Sequence, residues 1–216
     1  DYSTAWLFRE RLNENGMLEF IWEEFVNQLK AKGYDVKKGV IQDATFITSD
    51  PGHAKSDVPR GGEAKTRRSK DGAWAKKGNK SHFGYKGHIK TDVENNFIWK
   101  VETTAANVHD SQVDLANEGE VRYGDKGYHG AKTKGYDASM KRASRGHQLS
   151  VFDELRNKRI SSKRSLVERC FSVIKIVFKS GHVMVTTVGR AAVKMTFNAI
   201  GYNLFNLLGI VNRKAA

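Results

Sequence analysis

Residues 39–48 read GVIQDATFIT, an apolar and β-branched run with one acid, Asp43, near its centre. Val, Ile and Thr suit a pleated, half-buried backbone, and Gly39 and Pro51 bound the run, so a buried strand is expected here. A carboxylate inside such a strand is costly unless it is paired, hydrogen-bonded or holding a cation. Whatever surrounds this strand must therefore explain Asp43.

Downstream, FGYKGHIKTDVENNFIWKVETTAA gives two further strand-like runs, 83–92 and 97–104, joined by ENN, a hairpin signal with Asn placed to take a positive φ. A helix-like stretch around HDSQVDLANE leads into EVRYGDKGY, a short strand that ends at a second acid, Asp125, between Gly124 and Gly127. Upstream, residues 3–33 predict one helix capped by Ser3 or Thr4, with Leu18, Ile21, Trp22, Phe25 and Leu29 on one face and Gly33 closing it. A long helix is expected from Ser161, and RAAVKMTFNAIGYNLFNLLGI makes another. Helix, strand, hairpin, helix, strand and helices point to an α/β fold, a mixed sheet covered by helices. Ligands in such sheets sit at strand ends, where Asp125 falls.

Residues 49–82 differ in kind. They carry Pro51, Pro59, several glycines and the basic run Lys65, Arg67, Arg68, Lys70, Lys76, Lys77 and Lys80 with few apolar residues, so they read as a loop or arm, either solvated or laid on a polyanion. GAWAKKGNKS fails as a phosphate loop, because five residues separate Gly72 from Gly78 and Asn79 precedes Lys80.

The 216 residues hold 37 Lys and Arg against 24 Asp and Glu, a net charge of +13. That size buries a core without staples, and that charge suits a polyanion, nucleic acid first. The single cysteine, Cys170, excludes an internal disulfide and a cysteine-based zinc site, which fits a reducing, cytoplasmic setting. No apolar run approaches the roughly 18 residues that would span a bilayer, so no membrane is expected.

A third acid, Glu168, lies in RSLVERCFSVIK. At about 100° per residue, Leu166, Cys170, Val173, Ile174 and Val177 fall on one side of that helix, and Arg164, Glu168 and Lys175 fall within roughly 40° of one another on the other. The charged line also reads as a solvated face, with an Arg164–Glu168 pair contributing roughly a few tenths of a kcal/mol. Taken together, Asp43, Asp125 and Glu168 suit hard divalent cations, which take oxygen ligands and keep room for substrate phosphate. Two such ions about 3.5–4 Å apart clamp the attacking and leaving oxygens of a phosphoryl displacement. Other chemistries lack their residues: His53, His82, His88, His109, His129, His147 and His182 form no HExxH, there is no GxSxG, and Cys170 lies on the apolar helix face, where a thiol is inert.

IQDATFI, HFGYKGHIKTD, TTAANVHDS, VRYGDKGYHG and RSLVERCFSVIK, in that order, resemble the DDE transposases of insertion sequences, in the insertion-sequence five branch of the insertion-sequence four group. The likeness also takes in AWLFRERLNENG before Asp43 and FNAIGYNLFNLL after Glu168. It implies a ribonuclease H-like fold in which Asp43, Asp125 and Glu168 are the catalytic triad and hold two Mg²⁺ ions, with Mn²⁺ able to substitute. The group's signature around the glutamate is matched by Arg164, Glu168 and Lys175, and its tyrosine position holds Ser161. Residues 1–38 are then expected to be the remnant of a longer helical region, 39–180 the catalytic domain with its basic loop at 49–82, and 181–216 a helical segment packed on it. The expected activity is DNA cleavage and strand transfer on the terminal repeats and target DNA, with a homodimer on double-stranded DNA. Arg164, Lys175, Lys86, Lys126 and Tyr128 are the expected DNA contacts, with the glycines beside Asp125 leaving room for the backbone. Two rivals share parts of this reading: a ribonuclease H-like nuclease without strand transfer, and a non-catalytic DNA-binding remnant.

Overall fold

The computed structural model describes residues 1–52, 69 and 71–215. Four helices, α1 (Tyr2–Glu14), α2 (Met17–Ala31), α3 (Val151–Ser172) and α4 (Val188–Ala215), accompany seven strands. The strands are β1 (Val40–Ser49), β2 (Ala73–Lys77), β3 (Lys80–Asp92), β4 (Ile98–Ala105), β5 (Val121–Tyr123), β6 (Tyr136–Asp137) and β7 (His182–Val183).

The predicted apolar run is the centre of the sheet. β1 pairs antiparallel with β3 from Val40 opposite Asp92 to Thr48 opposite Gly84. Its other edge is parallel to β5 at Val40 and Ile41 and to β7 at Thr48 and Ser49. β4 and β2 lie end to end along the far edge of β3, and β6 extends the sheet parallel to β5. This mixed sheet, antiparallel on one flank and parallel on the other, with helices packed on it, is the ribonuclease H-like arrangement that the sequence implied. The β3–β4 hairpin turns as expected: Asn96 takes φ 58°, and the Asp92 carboxylate accepts from the Phe97 N–H and the Trp99 indole N–H, both at 2.8 Å.

Period two divides the faces of β1 and β3. Ile41, Ile47, Tyr85 and Ile89 form one core with Val167, Cys170 and Ile174 of the α3 region, Met195 and Ala199 of α4, and Trp22 of α2. Trp22 of α2 and Met195 and Ala199 of α4 thus share one core with the sheet and α3. Asn203 of α4 is fully buried and completes the start of β4, accepting from the Ile98 N–H at 2.8 Å and donating to its carbonyl at 2.7 Å.

The opposite face is polar, and among the described residues it is the segment 108–115 that lies on it. The Gln42 amide donates to the Val113 carbonyl and accepts from the Leu115 N–H, while Lys86 donates to the Val108 carbonyl. The helix expected around 109–118 is therefore absent; only Asp110–Gln112 makes a short 3-10 turn, capped by His109. Side chains of the sheet take up backbone groups that a helix would have satisfied internally.

Three other expectations change. The helix predicted over 3–33 is two helices: Asp1, not Ser3 or Thr4, caps α1, and Gly16 at φ 64° breaks the run. The loop predicted at 49–82 lies partly outside the described residues, including Lys65, Arg67, Arg68 and Lys70. Where it is described, β2 and the start of β3 form a hairpin turning at Gly78, so Lys76, Lys77 and Lys80 sit on a sheet edge. The helix predicted from Ser161 begins ten residues earlier, with Ser150 accepting from the Asp153 N–H.

Candidate active site

Asp43 lies on the helix-covered face of β1, opposite Ile89 of β3. One carboxylate oxygen accepts from the Ala44 N–H at 2.8 Å, and the other accepts from the Arg164 guanidinium of α3 at 2.7 Å. The Asp43 and Arg164 side chains are only 20% and 17% exposed. Burial pushes the Asp43 carboxyl above its ordinary range, and the like charge of Asp125 adds to the rise; Arg164 and the Ala44 N–H pull it back without winning. The strand pattern thus places a carboxylate where its negative charge is under-compensated even with an arginine upon it.

Asp125 arrives by a different route. β5 stops after Tyr123, and the chain turns at Gly124, where a Cβ would stand 2.7 Å from the Ser139 hydroxyl and 2.9 Å from the Tyr128 Cβ. Only glycine fits so close an approach. Asp125 then caps the 3-10 turn Lys126–Tyr128, accepting from the Gly127 N–H at 2.7 Å. Gly124 therefore serves packing inside the protein.

Glu168 is exposed on α3, one turn beyond Arg164. Among the described residues no three His, Cys, Asp or Glu side chains are grouped closely enough to hold a metal ion. Asp43 pairs with Arg164 and feels the charge of Asp125, whereas Glu168 makes no ion pair among the described residues. Arg164 pairs across 121 residues with Asp43 and not with Glu168 four residues away. The apolar side of the helix also differs from the wheel, since Val167 and Ile160 are buried whereas Leu166 and Val177 are exposed.

Lys175 sits in a π-helical turn, Val173–Val177, whose wider winding takes it off the line drawn at 100° per residue. Its ammonium is half-buried, and that burial, with Lys77 close by, lowers its pKa below the usual lysine value. Lys77, placed in the loop by sequence, thus joins Lys175 as a second cation. Lys126 is exposed and lines a shallow cleft of about 510 Å³ with Met140, Asn157, Lys158 and Ser161. Two expected DNA contacts are otherwise engaged. Lys86 donates to Asp110 at 2.8 Å and to the Val108 carbonyl at 2.7 Å on the far face of the sheet. Tyr128 is fully buried under the Asp125 turn, with its ring 5.4 Å from the Arg122 guanidinium carbon. Cys170 is buried in the core, which pushes its thiol up to about 12 and keeps it inert, as expected.

Oxygen donors alone, two of them carboxylates, match the preference of a hard divalent cation that fills its remaining positions with water and phosphate. The raised proton affinity of Asp43 and the arginine held on it are what such a pair shows when it is short of positive charge. Asp43 and Asp125 are donors of the type such a cation takes, and Glu168 would have to join them from its exposed position.

The family described as "Transposase DDE domain" matches residues 34–204, which contain all of these groups. A transposase for insertion sequence element IS1106 from Neisseria meningitidis serogroup B is 26% identical over 229 aligned positions, covering 97% of this chain and 78% of that protein. No solved structure matches the chain.

Proposed function

The chain belongs to the DDE transposase family, an enzyme class that cleaves DNA and transfers strands, and from that premise we propose that Asp43, Asp125 and Glu168 are its catalytic carboxylates. The observation that carries this reading is Asp43: half-buried in an apolar strand, sensing the charge of Asp125, and neutralised by an arginine from the helix that also bears Glu168. Bound Mg²⁺, two ions in this reading with Mn²⁺ as a substitute, would supply Lewis-acid stabilisation of the phosphoryl transition state and an activated water or 3′-hydroxyl.

The chain's own residues do the rest. Asp43 and Asp125 hold the cation end of the site on rigid elements, one inside the central strand and the other at a capped turn. Arg164 pairs with Asp43 at 2.7 Å and so offsets part of its charge until a cation takes that place. Lys175, Lys77 and Lys126 hold the DNA backbone by charge, which gives affinity without sequence information. The substrates in this reading are element ends and target DNA, and two ends imply two copies of the chain.

The test is a labelled duplex carrying a pre-cleaved element end, incubated with the protein and Mg²⁺. Joined products are expected. Hydrolysis without joining would make the chain a nuclease, and retention of DNA without either would make it a binding remnant.

A further inference from the structure

α4 is apolar on nearly every side. Met195, Ala199 and Tyr202 enter the core of the sheet, and Leu207 and Ile210 pack on the smaller cluster of Leu29, Phe97 and Trp99. A helix that is apolar all round is normally covered all round. One side of α4 is bare instead: Phe197, Leu204, Phe205, Leu208 and Val211 are between 38% and 59% exposed. With Gly201 they fall within an arc of about 120° at about 100° per residue. α1 covers this side at its start, where Glu10 pairs with Arg190 at 2.6 Å.

The pattern of the bare side says what fits it. Positions 197, 201, 204, 208 and 211 are spaced four, three, four and three, the repeat of a helix that packs along another helix. Residues 195–212 carry no charged side chain in a chain of net charge +13, so a second copy can approach here without like-charge repulsion along the contact. The stripe also complements itself. Set antiparallel with Phe197 against Leu208 of a second copy, it brings Gly201 against Leu204, and a twofold axis repeats both contacts. Leu204 then fills the hole at Gly201, which the Phe178 ring of the same chain borders 3.4 Å from where a Cβ would stand. A parallel pair would set Gly201 against itself and leave that hole empty.

We propose that residues 197–211 of α4 are the seam through which two copies of this chain associate, antiparallel and without DNA. The proposal deepens the reading in which two element ends imply two copies, and it rests on that reading for the choice of a second copy as the occupant. One helix pair is a small interface, so association in the micromolar range is expected. Arg190 and Lys194 at one end of the seam and Arg213 and Lys214 at the other are all basic, so added salt should leave the contact intact or strengthen it.

Sedimentation velocity of the chain at tens of micromolar, without DNA or metal, should show a dimer that persists as salt is raised. Leu204→Glu/Leu208→Glu should weaken association by about tenfold or more, whereas Phe152→Glu, on an 84% exposed side chain of α3, should remain dimeric. A monomeric parent, a dimer that survives Leu204→Glu/Leu208→Glu, or capture by anionic lipid vesicles in place of self-association overturns the seam. Disulfide trapping reads the contact without charge in the core, and the native Cys170 is buried. Phe197→Cys and Leu208→Cys chains should cross-link when mixed and not when kept apart; cross-linking of either with itself, or no cross-link in the mixture, overturns the antiparallel seam. Strand joining is scored separately, so a chain that joins ends yet fails these tests loses the seam and keeps its catalytic carboxylates.

Discussion

On the polar face of the sheet, every buried cation meets a carboxylate directly: Lys90 with Glu120 at 3.0 Å, Lys86 with Asp110 at 2.8 Å, and Arg122 with Asp137 at 3.0 Å and Asp114 at 3.7 Å. On the helix-covered face, Asp43 has Arg164 alone, and Asp125 has a backbone N–H but, among the described residues, no ion-pair partner. Both faces carry the desolvation cost of charge. The first offsets it inside the chain and so reads as architecture, pinning residues 106–120 and 136–139 to the strands. The second leaves negative charge uncompensated at a strand end, which is unfavourable for the free protein and useful only if a cation arrives.

The most severe way to break that contrast is to neutralise the uncompensated side. Asp125→Asn should lower strand cleavage and joining by about a thousandfold or more, some 4 kcal/mol of barrier, as expected when transition-state charge loses its counter-ion. Retention of the protein on DNA at low salt should survive, since the basic surface is untouched. Loss of activity and DNA retention together would show that Asp125 holds the fold and would erase the distinction between the two faces.

The balanced side should fail in stability instead. Lys90 is only 3% exposed at its side chain, and Lys90→Met leaves Glu120 buried without its cation. A cost of about 3–5 kcal/mol is expected in chemical denaturation, with cleavage per folded molecule unchanged. Replacing Glu120 as well, by Gln, should restore part of the loss, because removing a whole pair destabilises less than leaving half of one.

The two faces also differ in their response to acid. Burial lowers the His88 pKa to about 4, so it stays neutral in the fold while the unfolded chain protonates near 6.5. The unfolded state then binds more protons in that window, and stability present above about pH 6.5 should drain away towards pH 4 by up to about 3 kcal/mol. Asp43 has the opposite sign: its folded pKa is raised, so the fold binds the extra proton, and its unfavourable contribution shrinks as pH falls through that pKa. His88→Gln should flatten the acid slope between pH 6.5 and 4, as read by thermal melts of the metal-free protein. An unchanged slope would move the titrating group elsewhere.

Much of this contrast was legible in the sequence on one side only. An acid interrupting GVIQDATFIT, and another at the end of VRYGD, announce themselves because the pattern around them is apolar or tightly turned. Arg164 was visible as a charge on a helix, but its partner was not: the i, i+4 neighbour Glu168 is the local choice, whereas Asp43 becomes available only once the core of Val167 and Cys170 seats α3 on β1. The polar face was nearly silent, since Gln42, His88 and Lys90 alternate with core residues and their partners lie in a segment with no periodicity. The same holds for the first ten residues of α3, where few side chains are buried, and for β2, whose AWAKK pattern carries charge on a sheet edge. Where burial is low, hydrophobic period carries little information.

The smallest effect tests which lysines face DNA. Removing one phosphate-binding lysine should reduce the slope of log affinity against log salt by about 0.9. Lys175→Ala is expected to do so, and Lys77→Ala with it, because the two ammonium groups share one region at the end of the catalytic helix. Lys86→Ala should leave the slope unchanged and lower the melting temperature, since Lys86 holds Asp110 and the Val108 carbonyl on the opposite face. A salt slope that falls for Lys86 and not for Lys175 would place the DNA on the balanced face, and the uncompensated aspartates would then need another explanation.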